Sequence, residues 1–444
     1  MGKTVAVWAG KLSGIAGRLL GKKSSSTPGL IAMKVCPDVI KILSKKVKKG
    51  IIVTCGTNGK TTTNNLLNSA LQKAGYRTVC NNLGANMIGG VATAFVDACS
   101  WTGKLDADWA VLEIDEASAR RVFAHLTPSC MVITNLFRDQ MDRYGEVDDT
   151  MALLDEAIQM ADGVKLVLNG DDPVTARLGE GRDAVYYGVS EKVLPQEDAP
   201  TDGRFCAKCG GEQAYHYFHY SQLGDYYCPH CGNQRPQINY DVKDVDLSGS
   251  MKFSINGNPI DVNYRGFYNI YNIVAVYAAL DAMGVSVNGF QNLLEDYRPQ
   301  IGRMELLDLG KPFILNLAKN PAGFNQAIQT VMLDKRKKDV IVAVNDRASD
   351  GQDVSWLWDV DFEKLCDETL NTLTVSGERL YDLALRFQYA DKKVDTVTKN
   401  MREALLACTR TDAEVCYVLV NYTVLFPTQS TMLEMQKELG GEGK

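Results

Sequence analysis

The stretch that most constrains this chain is Val53-Thr54-Cys55-Gly56-Thr57-Asn58-Gly59-Lys60-Thr61-Thr62-Thr63. Before it, Ile51-Ile52-Val53 is a β-branched apolar run with strand character. After it, Leu66, Leu67, Ala70, Leu71 and Ala74 recur at helical spacing. Strand, glycine turn, Lys-Thr and helix make a phosphate cradle, because backbone N–H groups and the positive helix end face one anion. Lys60 adds a point charge, and the Thr61 hydroxyl is placed to ligate Mg²⁺. The generic P-loop has Gly where Thr54 stands, so the flanking strand and helix must carry the assignment. An ordinary glycine turn is the plain alternative.

At 444 residues the chain can hold two or three domains with substantial cores. A net charge of −6 argues against a protein that coats nucleic acid. The charge is uneven, however: the first fifty residues carry eleven Lys/Arg against the single acid Asp38. Residues 1–21 do not read as a secretion signal, since Lys11 and Arg18 interrupt any apolar core. No segment has the ~18 uninterrupted apolar residues of a membrane span. The expected location is cytoplasmic, and twelve cysteines in a reducing compartment are not read as disulfides.

Residues 1–45 read as a basic N-terminal segment and linker. Val5, Trp8, Ala9, Leu12, Ile15, Ala16 and Leu19 are spaced for one helical face. That face is expected to pack against the chain's own domain; contact with the inner membrane surface is the alternative. Residues 24–29, rich in Ser with Pro28 and Gly29, are expected to be loop. From 46 to 300 strands (109–114, 130–134, 166–169) alternate with helices (151–161), which implies a mostly parallel α/β sheet. Ligands sit at the carboxyl ends of such strands. Residues 57–62, Glu113, Asn135 and Asp139 fall there.

Residues 201–240 break the alternation. Cys206-Ala207-Lys208-Cys209 and Cys228-Pro229-His230-Cys231 enclose eighteen residues, the spacing of a four-cysteine zinc ribbon. Four thiolates leave no open position, so the zinc is expected to be structural. His216, His219 and His230 are the alternative ligands. Beyond it, Asn269 and Asn272 share a helical face and could read an adenine edge; helix capping is the plainer role. From 301 to 444 a second α/β domain is expected, with strands near 313–317, 340–344, 372–375 and 415–420. Arg303 is placed to meet phosphate or ribose, and an acidic loop, Asn345 to Trp356, follows the second strand.

These blocks resemble the Mur ligase superfamily: Gly56-Thr57-Asn58-Gly59-Lys60-Thr61-Thr62, Leu112-Glu113-Ile114, Thr134-Asn135-Leu136, Asn269, Asn272 and Gly302-Arg303. Gln140 and Tyr268 stand where those ligases usually carry His, and 147–154 lacks Lys; these departures bear on a second metal. The cysteine insert, the short N-terminus and Asp350-Gly351-Gln352-Asp353-Val354-Ser355-Trp356 are similar to the MurT family. That resemblance implies ATP-dependent amidation of the D-Glu α-carboxylate in the lipid II stem peptide, through an acyl phosphate. Thr57 and Asn58 would then belong to the ATP-binding loop, Gly59, Lys60 and Thr62 would hold phosphates, Thr61 and Glu113 the Mg²⁺, and Asn269, Asn272 and Arg303 the nucleoside part. Ammonia would come from a GatD-like glutaminase, because no cysteine here sits in a G-x-C-x-G elbow. Asp353, with Asp350 as fallback, is the acid that would complete the partner's Cys-His pair. The rivals are a folylpolyglutamate-type ligase, a zinc-ribbon nucleic-acid ATPase and a silent scaffold.

Overall fold

Strands and helices assemble into two units, one built on residues up to 137, 147–263 and 268–297, the other on 264–267 and 298 onward. The computed structural model describes residues 2–19, 25–81, 85–137, 147–194, 203–295, 301–365 and 367–441. The expectations for Asp139 and Gln140 lie outside the described residues.

The first unit holds β1 (Gly50–Cys55), β2 (Thr78–Cys80), β3 (Trp109–Glu113), β4 (Cys130–Ile133), β5 (Lys165–Asn169) and β6 (Ala184–Val189). After a hairpin of β7 (Ala214–Tyr220) and β8 (Leu223–Tyr227) come β9 (Tyr240–Asp246), β10 (Met251–Ile255) and β11 (Asn258–Val262). The main sheet runs β11-β10-β9-β6-β5-β4-β1-β3-β2. It is parallel from β2 to β9, and β9, β10 and β11 form an antiparallel edge. Ile52, Val53, Val111, Leu112, Met131 and Val132 are fully buried, as strands covered on both faces must be. Thr54 lies opposite Glu113 and Cys55 opposite Ile133. The carboxyl ends of β1, β3 and β4 therefore finish flush, where the strand order changes direction.

The second unit adds β12 (Glu305–Asp308), β13 (Pro312–Leu317), β14 (Lys338–Ala343), β15 (Leu370–Ser376), β16 (Thr396–Val397) and β17 (Val415–Val420), in the order β12-β13-β17-β14-β15-β16. Only β12 is antiparallel to its neighbour. One face is packed by Phe324, Phe362 and Phe387, the other by Leu405, Leu425 and Met435.

Two expectations about the N-terminal segment are corrected. The helix Lys3–Leu19 forms, but its buried residues are Ala6, Val7 and Gly10. Val5, Trp8, Leu12, Ile15 and Leu19 are exposed. The small face wins because it allows close approach: a Cβ on Gly10 would lie 2.9 Å from both the Pro28 carbonyl and Val96 Cγ1. Residues 24–29 are not all loop, since Thr27 opens the helix Thr27–Val35 with Pro28 in its first turn, where a missing N–H costs nothing. Among the described residues no helix is long and apolar enough to cross a membrane.

Candidate active site

β1 runs through Cys55, so Thr54 is still extended strand and no Gly is required there. The turn begins at Gly56 (φ +121°) and closes at Gly59 (φ +85°), conformations that L side chains resist. A Cβ on Gly59 would also lie 2.2 Å from Asn272 Oδ1. The helix Lys60–Lys73 starts at once. The loop is held from the end of β4: Thr57 N donates to Asn135 O at 2.8 Å and Asn58 N to Asn135 Oδ1 at 2.9 Å. Thr134 Oγ1 donates to Asn58 O at 2.7 Å, and Phe137 N to Thr57 Oγ1 at 3.0 Å.

Lys60 Nζ donates to Glu116 Oε1 at 2.9 Å and to the Gly56 carbonyl, and Gly56 N reaches the same Glu116 oxygen at 2.6 Å. Both side chains are buried. Burial pulls Lys60 down, but Glu116, Glu113 and Asp115 outweigh it and hold the ammonium above its ordinary value. Burial pushes Glu116 up against the pull of Lys60. Sequence reasoning misses this carboxylate; its one signal is the acidic run Glu113-Ile114-Asp115-Glu116 just past β3.

Glu113 is buried, and its Oε1 accepts from Asn86 Nδ2 at 3.1 Å. Asn81 clamps its backbone on both sides, at 2.8 and 2.7 Å. With the Thr61 hydroxyl one residue past Lys60, the donors are all oxygen, which fits Mg²⁺. Asn269 and Asn272 are buried inside the helix Tyr268–Ala282 rather than capping it. Asn272 Nδ2 donates to Asn269 Oδ1 at 3.0 Å, and Asn272 Oδ1 accepts from Thr63 at 3.3 Å. The pair thus abuts the first turn of the cradle helix.

The cysteine insert is tied to this cradle. Gln222, in the β7–β8 turn, donates from Nε2 to Leu136 O at 2.8 Å and to Asp172 Oδ1 at 3.2 Å. Asp172 Oδ2 accepts from Leu136 N at 2.9 Å; burial pushes its carboxyl up while Thr175 pulls it down. Asp171 accepts from Arg235 Nε at 2.6 Å, Val189 N at 2.8 Å and the Tyr271 hydroxyl at 2.7 Å. Leu136 and its neighbours are the segment that holds Thr57 and Asn58. None of these braces is signalled by local sequence.

The sulfurs of Cys206, Cys209, Cys228 and Cys231 all lie within 4.8 Å of one another. Gly210 N donates to Cys206 O at 2.8 Å and Gly232 N to Cys228 O at 3.0 Å, so each pair folds as a tight knuckle. Four thiolates ~2.3 Å from zinc sit about 3.8 Å apart. The Cys206–Cys231 and Cys209–Cys228 separations of 3.6 and 3.5 Å are close to that. Among the described residues no histidine joins the cluster. His216 meets Asp225 at 3.1 Å, and His219 is buried with Nε2 3.4 Å from Val189 O. Burial pulls His219 down to about 4.

In the second unit, Arg303 is half-buried in the turn before β12. The two acids of the 345–356 loop separate cleanly. Asp350 is buried, accepting from Thr423 N at 2.8 Å and from the Thr423 hydroxyl. Asp353 is exposed and accepts from Ser355 N at 2.8 Å, at the start of the short 3₁₀ turn Ser355–Asp359. That backbone bond holds the Asp353 carboxyl below its ordinary value, whereas burial pushes Asp350 up.

Residues 53–221 match the Mur ligase middle domain model and 317–425 the MurT ligase C-terminal model. The chain is 37% identical to the MurT subunit of a lipid II isoglutaminyl synthase (glutamine-hydrolyzing) from Staphylococcus aureus, over 96% of this chain and 97% of that one. The chain belongs to the MurT family. A Streptococcus pneumoniae MurT subunit is 34% identical, covering 98% and 97%. The fold is shared with a pseudomurein peptide ligase type C from Methanothermus fervidus (TM-score 0.72, 24% identity, 88% and 80% covered). It is shared also with MurF from Acinetobacter baumannii (TM-score 0.66, 16% identity, 92% and 80% covered). MurT membership makes the chain an ATP-dependent ligase and one subunit of a larger enzyme.

Proposed function

We propose that this protein is the synthetase subunit that amidates the α-carboxylate of D-Glu in the lipid II stem peptide, giving D-isoglutamine. The observation that carries the reading is its end-to-end likeness to two MurT subunits, joined to an intact Lys60 cradle. A carboxylate is a poor electrophile, so one of its oxygens first attacks the γ-phosphorus of ATP, and ADP leaves. Ammonia then attacks the acyl carbon, phosphate leaves with the oxygen that bridged to phosphorus, and nitrogen loses a proton. The protein's part is positioning and charge neutralisation. Lys60 and the N–H groups of residues 59–62 receive the phosphates, while Thr57 and Asn58, pinned to Asn135, hold the loop in shape. Thr61 and Glu113 would hold Mg²⁺, which when bound would supply positive charge beside the phosphates. Asn269, Asn272 and Arg303 serve the nucleoside part.

Cys206, Cys209, Cys228 and Cys231 would hold a zinc ion, which when bound would order the insert. A GatD-like glutaminase delivers ammonia, which free in solution at neutral pH is nearly all ammonium. Exposed, ionised Asp353 is the acid available to that partner; Asp350 is consumed by Thr423. The complex works in the cytoplasm, at the face of the membrane where a lipid-linked peptide is presented. The test is incubation with lipid II, ATP, Mg²⁺ and glutamine plus partner, with mass spectrometry for replacement of one hydroxyl by one amino group. Asp353→Asn is expected to lose the glutamine-dependent reaction and keep the ammonium-dependent one; loss of neither refutes its role.

A further inference from the structure

The helix Lys3–Leu19 turns its large apolar residues away from the protein. Val5, Trp8, Leu12, Ile15 and Leu19 are 37–83% exposed, Leu19 the most. Their spacing of three and four residues aligns them along one outward stripe. Trp101, 52% exposed, extends the patch: Trp8 Nε1 donates to its carbonyl, and Lys11 Nζ sits 5.8 Å from its ring centroid. A run of this kind on the outside of a protein needs a partner.

We propose that this stripe docks on an anionic lipid surface, with Trp8 and Trp101 at headgroup level and Leu12, Ile15 and Leu19 among the acyl chains. Charge selects this occupant. Lys3, Lys11 and Arg18 are the only charged residues of the helix, and the first fifty residues carry eleven cations against one acid. A helix pairing with a second copy of itself would bring Lys11 and Arg18 against their own kind, with no acid on the helix to relieve them. Lys11 and Arg18 flank the stripe and share only Asp97 of the supporting helix; a bilayer of anionic lipid relieves these two and accepts the apolar stripe, and paired tryptophans suit its interface. The anchoring face is built rather than fortuitous. Ala6, Val7 and Gly10 fix the other side of the helix to Thr27–Val35 and to Ile88–Ala98, so the stripe is displayed by a rigid support. Docking would hold the protein beside a lipid-linked peptide.

The test uses the full chain, alone and in complex with its glutaminase subunit, and vesicles containing no lipid II. Co-sedimentation is measured with equal parts phosphatidylglycerol and phosphatidylcholine, and with phosphatidylcholine alone. The protein is expected to bind the anionic vesicles, to release as salt rises, and to bind the neutral ones at least ~tenfold less. The double variant Leu12→Glu/Leu19→Glu is expected to lose vesicle binding at unchanged melting temperature and unchanged amidation of detergent-dispersed substrate. Both positions are exposed, so folding is not at risk. No sedimentation of the complex, equal binding by the variant, or self-association that the variant abolishes would each overturn the proposal. Failure of amidation with normal vesicle binding would instead refute the substrate reading alone.

Discussion

Glu116→Gln removes the carboxylate in direct contact with Lys60. The pair is 2.9 Å apart with both side chains buried. At an effective dielectric of 20 the attraction is about 6 kcal/mol before desolvation is subtracted. Breaking a buried pair by neutralising one partner costs ~3–5 kcal/mol, since the other charge stays buried and unpaired. Gln keeps an oxygen for the Gly56 N–H, which places the expected loss at the lower end, ~3 kcal/mol. For a domain of this size that lowers the melting temperature by ~6–12 °C. In saturating ATP and Mg²⁺ the phosphates supply the missing negative charge, so the deficit is expected to shrink to about 1 kcal/mol. Thermal denaturation of both proteins with and without nucleotide measures it. An equal deficit under the two conditions, or no deficit, would refute the idea that Glu116 holds the place of phosphate.

Gln222→Ala removes both bonds that tie the hairpin turn to Leu136 and Asp172, leaving a buried carbonyl unpaired at ~1–3 kcal/mol. The expected result is a raised KM for ATP at unchanged zinc content; an unchanged KM means the brace does not reach the cradle. Metal analysis is expected to give one zinc per chain, and a strong chelator to release it with loss of hairpin amide protection in hydrogen exchange. Retained protection after zinc loss would show the metal to be dispensable for folding. His219, pulled down to about 4 by burial, binds its proton more weakly folded than unfolded. Its contribution is fully present above pH 6.5 and disappears as pH falls towards 4, by up to roughly 3 kcal/mol. Unfolding midpoints across that window should show a slope that His219→Gln flattens.

Periodicity made the α/β alternation and the cradle readable, because β-branched runs buried on both faces and the glycine-lysine-threonine turn are local signals. The contacts that finish the site are not local. Glu116 meets Lys60 across 56 residues and Gln222 meets Leu136 across 86, and no window of sequence displays such a pairing. The N-terminal helix teaches a different lesson. Spacing identified the residues that share its apolar stripe, yet spacing does not say which face the protein covers. Gly10 and Ala6 decided that by permitting closer backbone approach than Trp8 or Leu12 could. Pro28 misled in the same region, since proline ends a helix from within but begins one comfortably from its first turn.

The central claim is that a stem-peptide carboxylate is phosphorylated at the Lys60 cradle before nitrogen enters. Lipid II carrying ¹⁸O in the D-Glu α-carboxylate tests it directly. The expected outcome is one ¹⁸O in inorganic phosphate for every amide formed, absent with Lys60→Ala. Amide formation with no label in phosphate would contradict the account.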